Sequence, residues 1–105
     1  MTLHIHGEPH RLTFRHITAR ETLVEEWYDE EGTFAGVTEA TLSMRRDGQW
    51  ENVGWAPAVC VRQDQFCKAT GRKVALTRLL HFTFPNDRVA RREVWEQYFR
   101  RGGAS

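Results

Sequence analysis

No stretch of the chain stays apolar for more than a few residues. It therefore lacks both the run of about 20 apolar residues that spans a membrane and the shorter greasy core of an export signal. That absence predicts a protein of the cytoplasm, the host cell's cytoplasm for a phage-borne chain, with no membrane partner. Cysteine is scarce as well. Cys60 and Cys67 fall on the end of a predicted strand and the first turn of a predicted helix. Without an export signal they read as free thiols rather than as a disulfide. An excess of charge is missing too: 15 basic against 14 acidic side chains leave a formal net charge of +1. This excludes the strongly basic balance of a protein held mainly by phosphate backbones, so any cationic patch is local. No serine-centred nucleophile elbow, phosphate-cradling glycine loop, internal repeat or linker is present, and no cofactor is implied.

What is present suits one domain of 105 residues with a single modest core. Residues 2–6 and 11–17 alternate in polarity on either side of "GEPH", which reads as a hairpin with a turn at Gly7 and Pro9. "TLVEEWY" and "FAGVTEATLSM" flank the polar "DEEG" as a second pair. In the latter, Phe34, Ala40, Leu42 and Met44 share one parity, and Gly36 on that face marks a bulge or a close approach. Asp47-Gly48 is a strong two-residue turn because both positions tolerate positive φ. "WENVGW" then returns, Pro57 breaks the run, and "AVCV" adds a short strand.

From about Gln63 the period changes. Phe66, Ala69, Thr70, Val74, Leu76, Thr77 and Leu80 recur at helical intervals after Asp64, and "FTFPN" ends that helix. A second helix from about Asn86 to Arg101 carries Val94, Trp95, Tyr98 and Phe99 on one stripe and stops at Gly102-Gly103. Strands first and helices last predict an α+β fold. Residues 1–62 form an antiparallel meander of about five strands, residues 63–101 two C-terminal helices, and 102–105 a frayed tail.

On a helical wheel Lys73 falls inside the apolar arc of the first helix, among Phe66, Ala69, Thr77 and Leu80. Arg91 lies in line with Val94, Trp95 and Tyr98 on the second. Two explanations stand side by side. The long side chains run along apolar surface and hold their charges in water, or they await an anion, with Lys68, Arg72 and Arg92 adding charge and Phe66 and Trp95 stacking on a base. Gly71, in mid-helix, fits a close approach by either a ligand or the sheet.

Four histidines in "HIHGEPHRLTFRH" invite a metal reading, but no third ligand converges with His4 and His6, so exposed strand histidines are the plainer account and no metal ligand is assigned. Glu25, Glu26, Asp29, Glu30 and Glu31 read as a solvated hairpin end, and no nucleophile has a matched base, so no catalytic residue is assigned. Trp27, Trp50 and Trp55 lie on predicted strands, with Trp50 and Trp55 on opposite sides. Exposed aromatic surface predicts a homo-oligomer or a platform for single-stranded bases.

The segment "DQFCKATGRKVALTRLL" followed by "RREVWEQYF", after an antiparallel sheet, resembles the first-type Thoeris anti-defence sponges of phages. The likeness covers the C-terminal helices and the order of elements, and the N-terminal half contributes no motif. It implies an oligomeric, non-catalytic protein that captures a small nucleotide signal: a cyclic ADP-ribose isomer or a cyclic oligonucleotide. It carries over no ligand-contacting residue. The candidate ligand set, Phe66, Lys68, Arg72, Lys73, Arg91, Arg92 and Trp95, comes from the wheels. The alternative is a phage-type protein that inhibits a host machine or binds nucleic acid through its basic helices and exposed aromatics.

Overall fold

The computed structural model describes residues 1–18, 34–61 and 68–101. Strands β1 (Thr2–Ile5), β2 (Glu8–Thr18), β3 (Phe34–Arg46) and β4 (Gln49–Val61) form an antiparallel meander in the order β1-β2-β3-β4. Helices α1 (Lys68–Thr83) and α2 (Arg88–Arg100) follow. The α+β architecture is as expected, with four strands among the described residues rather than about five. "TLVEEWY", Asp64, Phe66 and the tail lie outside those residues. No helix among them is long and apolar enough to cross a membrane.

Local chemistry sets both tight turns. Asp47 and Gly48 have φ of 52° and 78°, as a two-residue hairpin turn requires. His6 and Gly7 repeat those angles. The first turn is therefore one residue earlier than expected, and Pro9 lies within β2 opposite His4. The irregular register between Phe34 and Gly36 fits the glycine's expected role.

Pro57 does not end a strand: "WENVGW" and "AVCV" are both part of β4. The physical reason is position. β4 is an edge, and the Pro57 carbonyl points outward to accept from Arg78 Nη1 at 3.0 Å, so the missing N–H would also point away from β3. A bulge corrects a second expectation. Leu42 pairs with Gly54 and Ser43 with Asn52, leaving Val53 as an extra residue in β4. Trp50, opposite Arg45, and Trp55, opposite Thr41, consequently share one face despite their odd spacing.

Both helices cover the other face, α1 over β3 and β4 and α2 over β1. The sheet is built for this division. Under α2 the buried side chains are large, with Leu3, Ile5 and Leu12; under α1 they shrink to Ala40, Ala56 and Ala58. Gly71 meets Thr38 and Gly54 meets Thr83 so closely that a Cβ on either glycine would overlap the threonine hydroxyl. Leu76, Leu79, Leu80, Val94 and Tyr98 fill the space between, each large aliphatic contributing about 1.5–3 kcal/mol on burial.

The free edge of β1 is closed by α2. Gln97 accepts from His4 N at 2.8 Å and donates to His4 O at 2.7 Å, while Glu93 accepts from His6 N at 2.8 Å. These side chains satisfy backbone groups that an open edge would offer to another strand.

Candidate functional site

The turn after α1 positions the start of α2. Asp87 caps α2, its Oδ1 accepting from Ala90 N at 3.0 Å, while its Oδ2 pairs with His6 Nε2 at 2.6 Å. The hydrogen bond to Asp87, reinforced by its charge, raises the His6 pKa, and the same hydrogen bond lowers that of Asp87. Capped in this way, α2 projects Arg88, Arg91, Arg92 and Trp95 at spacings of three, four and seven residues, one face of a helix.

That face borders a groove of about 400 Å³ between the helices. Thr77 and His81 of α1 form the opposite wall, and Leu80 and Val89 also line the space. Arg88, Arg91 and Arg92 occupy the first two turns of α2, at the positive end of the helix dipole; the first turn contains no acidic residue, and the capping Asp87 carboxylate partly offsets their charge. Arg92 approaches Glu96 only at 3.9 Å on an exposed surface, and Arg88 has no ion pair among the described residues. The aromatic end is organised by stacking. Trp95 lies 5.5 Å from Phe99 at 20° and meets Tyr98 edge-on at 5.8 Å, and Tyr98 in turn reaches Phe14 at 6.0 Å. A planar ring with an anionic substituent suits this pairing of guanidiniums and indole.

Three of the seven candidates, Arg91, Arg92 and Trp95, line the groove. Arg91 is not a free cation: its Nη1 donates to the carbonyls of Phe84 and, at 3.2 Å, Pro85, bracing the chain just beyond the C-terminal end of α1. Lys73 is half-buried with its Nζ 6.0 Å from the Phe99 ring, one aromatic step from the groove rather than in its wall. The wheel misplaced it because apolar residues surround α1. Val74 and Phe82 are exposed, and the buried side runs instead through Ala75, Leu76, Leu79 and Leu80.

Lys68 and Arg72 belong to another neighbourhood. They act on His16, whose Nδ1 is 2.9 Å from Thr38 Oγ1; burial, then Arg72 and Lys68, lowers its pKa. Phe66 is outside the described residues. Arg88, His81 and Thr77 were not anticipated, although the spacing from Arg88 through Arg91 and Arg92 to Trp95 was available in the sequence. Among the described residues no three histidine, cysteine or carboxylate side chains converge as metal ligands. No protein-family model, curated protein or solved structure matches this chain.

Proposed function

We propose that this chain is a non-catalytic binding module that captures a small nucleotide-derived anion in the groove between α1 and α2. A cyclic ADP-ribose isomer or a cyclic dinucleotide, held intact and so withheld from a bacterial immune pathway, is the ligand class. The placement of Arg88, Arg91 and Arg92 at the positive end of α2 beside Trp95 carries the reading. Asp87, already paired with His6, is the one carboxylate at that helix end among the described residues, and a bound phosphate would add charge-assisted contacts to Arg88 and Arg92. Binding rather than turnover is favoured by the groove's polar groups. A guanidinium can hold an anion but does not move protons near neutral pH, and three of them, Arg88, Arg91 and Arg92, line the groove.

A homo-oligomer belongs to the same proposal. Phe82 and Val89, 75% and 47% exposed on the helical layer, offer apolar surface for a second copy, which sedimentation velocity would detect. Isothermal titration with cyclic ADP-ribose isomers and cyclic dinucleotides tests capture. The expected result is saturable binding, with the ligand recovered intact after denaturation. Arg92→Ala should weaken binding about 10- to 100-fold, the loss of one charge-assisted phosphate contact. No heat with any of these compounds, at concentrations where self-association is complete, would sink the reading.

A further inference from the structure

The face of the sheet turned away from the helices carries a second surface, independent of the groove. The bulge at Val53 brings Trp50 and Trp55 to this face, opposite Arg45 and Thr41, which are four residues apart on β3, so the two indoles stand about 13 Å from one another at 3.3 Å per residue. Trp55 is 48% exposed. Trp50 is flanked by two guanidiniums, that of Arg11 at 4.3 Å from its ring centroid and that of Arg45 at 6.0 Å. Arg15 lies farther along β2 on the same face, opposite Glu39. Thr13 and Thr41 occupy the row between, in register with Trp55.

The charge of this face indicates its partner. Among the described residues Arg11, Arg15 and Arg45 share this face with one carboxylate, Glu39, and none of the three arginines has an ion pair there. A second copy laid against it would oppose one arginine-rich surface with another. An anionic chain with flat, unpaired rings satisfies both features, because its phosphates meet the guanidiniums while its bases stack on the indoles. A duplex keeps its bases stacked on one another and offers the rings no free face. We propose that the Trp50–Trp55 part of this face, beyond which Ile17 and Val37 are buried, binds single-stranded nucleic acid, with Trp55 and Trp50 as stacking platforms and Arg11, Arg15 and Arg45 as phosphate contacts.

Fluorescence anisotropy of a labelled uridine or deoxythymidine oligomer, with a duplex of equal length as comparison, tests the proposal on the full chain. The single strand should bind more tightly than the duplex. Three phosphate contacts give a slope of about −2 for log affinity against log salt, at about 0.7 per contact. Trp55→Thr, which retains a strand-forming residue on an exposed position, should weaken binding roughly 5- to 150-fold. Arg45→Gln should weaken it and flatten the salt slope by about 0.7. Arg92→Ala, in the groove, should leave it unchanged, so failure here is distinct from failure of small-ligand capture. Circular dichroism establishes that each variant is folded, and should Trp55→Thr unfold, Arg11→Gln replaces it as the second measurement. Absence of oligomer binding at low salt overturns the proposal, as does binding lost with Arg92→Ala but retained in Trp55→Thr. A change in sedimentation on Trp55→Thr with no change in oligomer affinity also overturns it, in favour of a contact between copies.

Discussion

Gly71→Ala tests the closest approach between the helical layer and the sheet. A Cβ at this position would overlap Thr38 Oγ1 and lie 3.1 Å from Thr38 Cβ, well inside the 3.5–4.0 Å optimum for carbon pairs. Thr38 is fully buried and its hydroxyl is engaged with His16 at 2.9 Å, so it has little freedom to withdraw. Overpacking of this kind costs about 1–3 kcal/mol. Disturbing the His16 contact adds about 1 kcal/mol, and the better helix propensity of alanine offsets about 1 kcal/mol. The expected net loss is about 1–3 kcal/mol, a fall in melting temperature of about 4–8 °C for each kcal/mol. Urea unfolding followed by tryptophan fluorescence measures it, with an unchanged m-value indicating that native stability moved.

Thr38→Ala then supplies the control. It removes the overlapping oxygen and leaves only the 3.1 Å carbon contact, which a few tenths of an ångström of adjustment accommodate. In that background Gly71→Ala should be neutral or stabilising by up to about 1 kcal/mol, giving a coupling of about 1–4 kcal/mol around the double-mutant cycle. Effects that add within about 0.5 kcal/mol would refute a packed contact between Gly71 and Thr38.

The His6 pair predicts a stability maximum in pH. Its raised pKa gives a contribution complete below 6.5 and lost as pH rises through the higher folded value, while that of Asp87 is complete above 3.8 and lost as pH falls through its lower folded value. His6→Asn, which tolerates the positive φ, should remove the alkaline loss from a plot of melting temperature against pH. NMR titration should place His6 above 6.5 and His16 below it. Tyr98→Phe should stabilise the protein by about 1–2 kcal/mol in urea, because the phenol is 1% exposed and its hydroxyl has no hydrogen-bond partner among the described residues. Arg91→Met should lower stability by about 1–2 kcal/mol as the braced carbonyls lose their donor, whereas Lys73→Met should change it by less than about 0.5 kcal/mol.

The turn at Asp47-Gly48 and the element order were legible because their causes are local. Asp47 and Gly48 tolerate positive φ wherever they occur, and α2 follows from a stripe of apolar residues closed by Asp87 and Arg101. Part of the groove was equally legible, since Arg91, Arg92 and Trp95 share a face set by helical spacing alone. Arg88 belongs to that same spacing, three residues before Arg91 and seven before Trp95.

Other features depend on groups distant in the chain, and only packing decides those. Pro57 is harmless because its strand is an edge, a property of sheet order rather than of neighbouring residues. Trp50 and Trp55 share a face because β4 accommodates Val53 as an extra residue against β3. His6 becomes the partner of a helix cap 81 residues away. Arg91 finds its carbonyls only when α2 folds back beside the end of α1. Backbone preference acts over a few residues and is written in their order. The neighbour that satisfies a charge, and the face on which a ring emerges, are set when layers pack and every buried polar group has to find its partner.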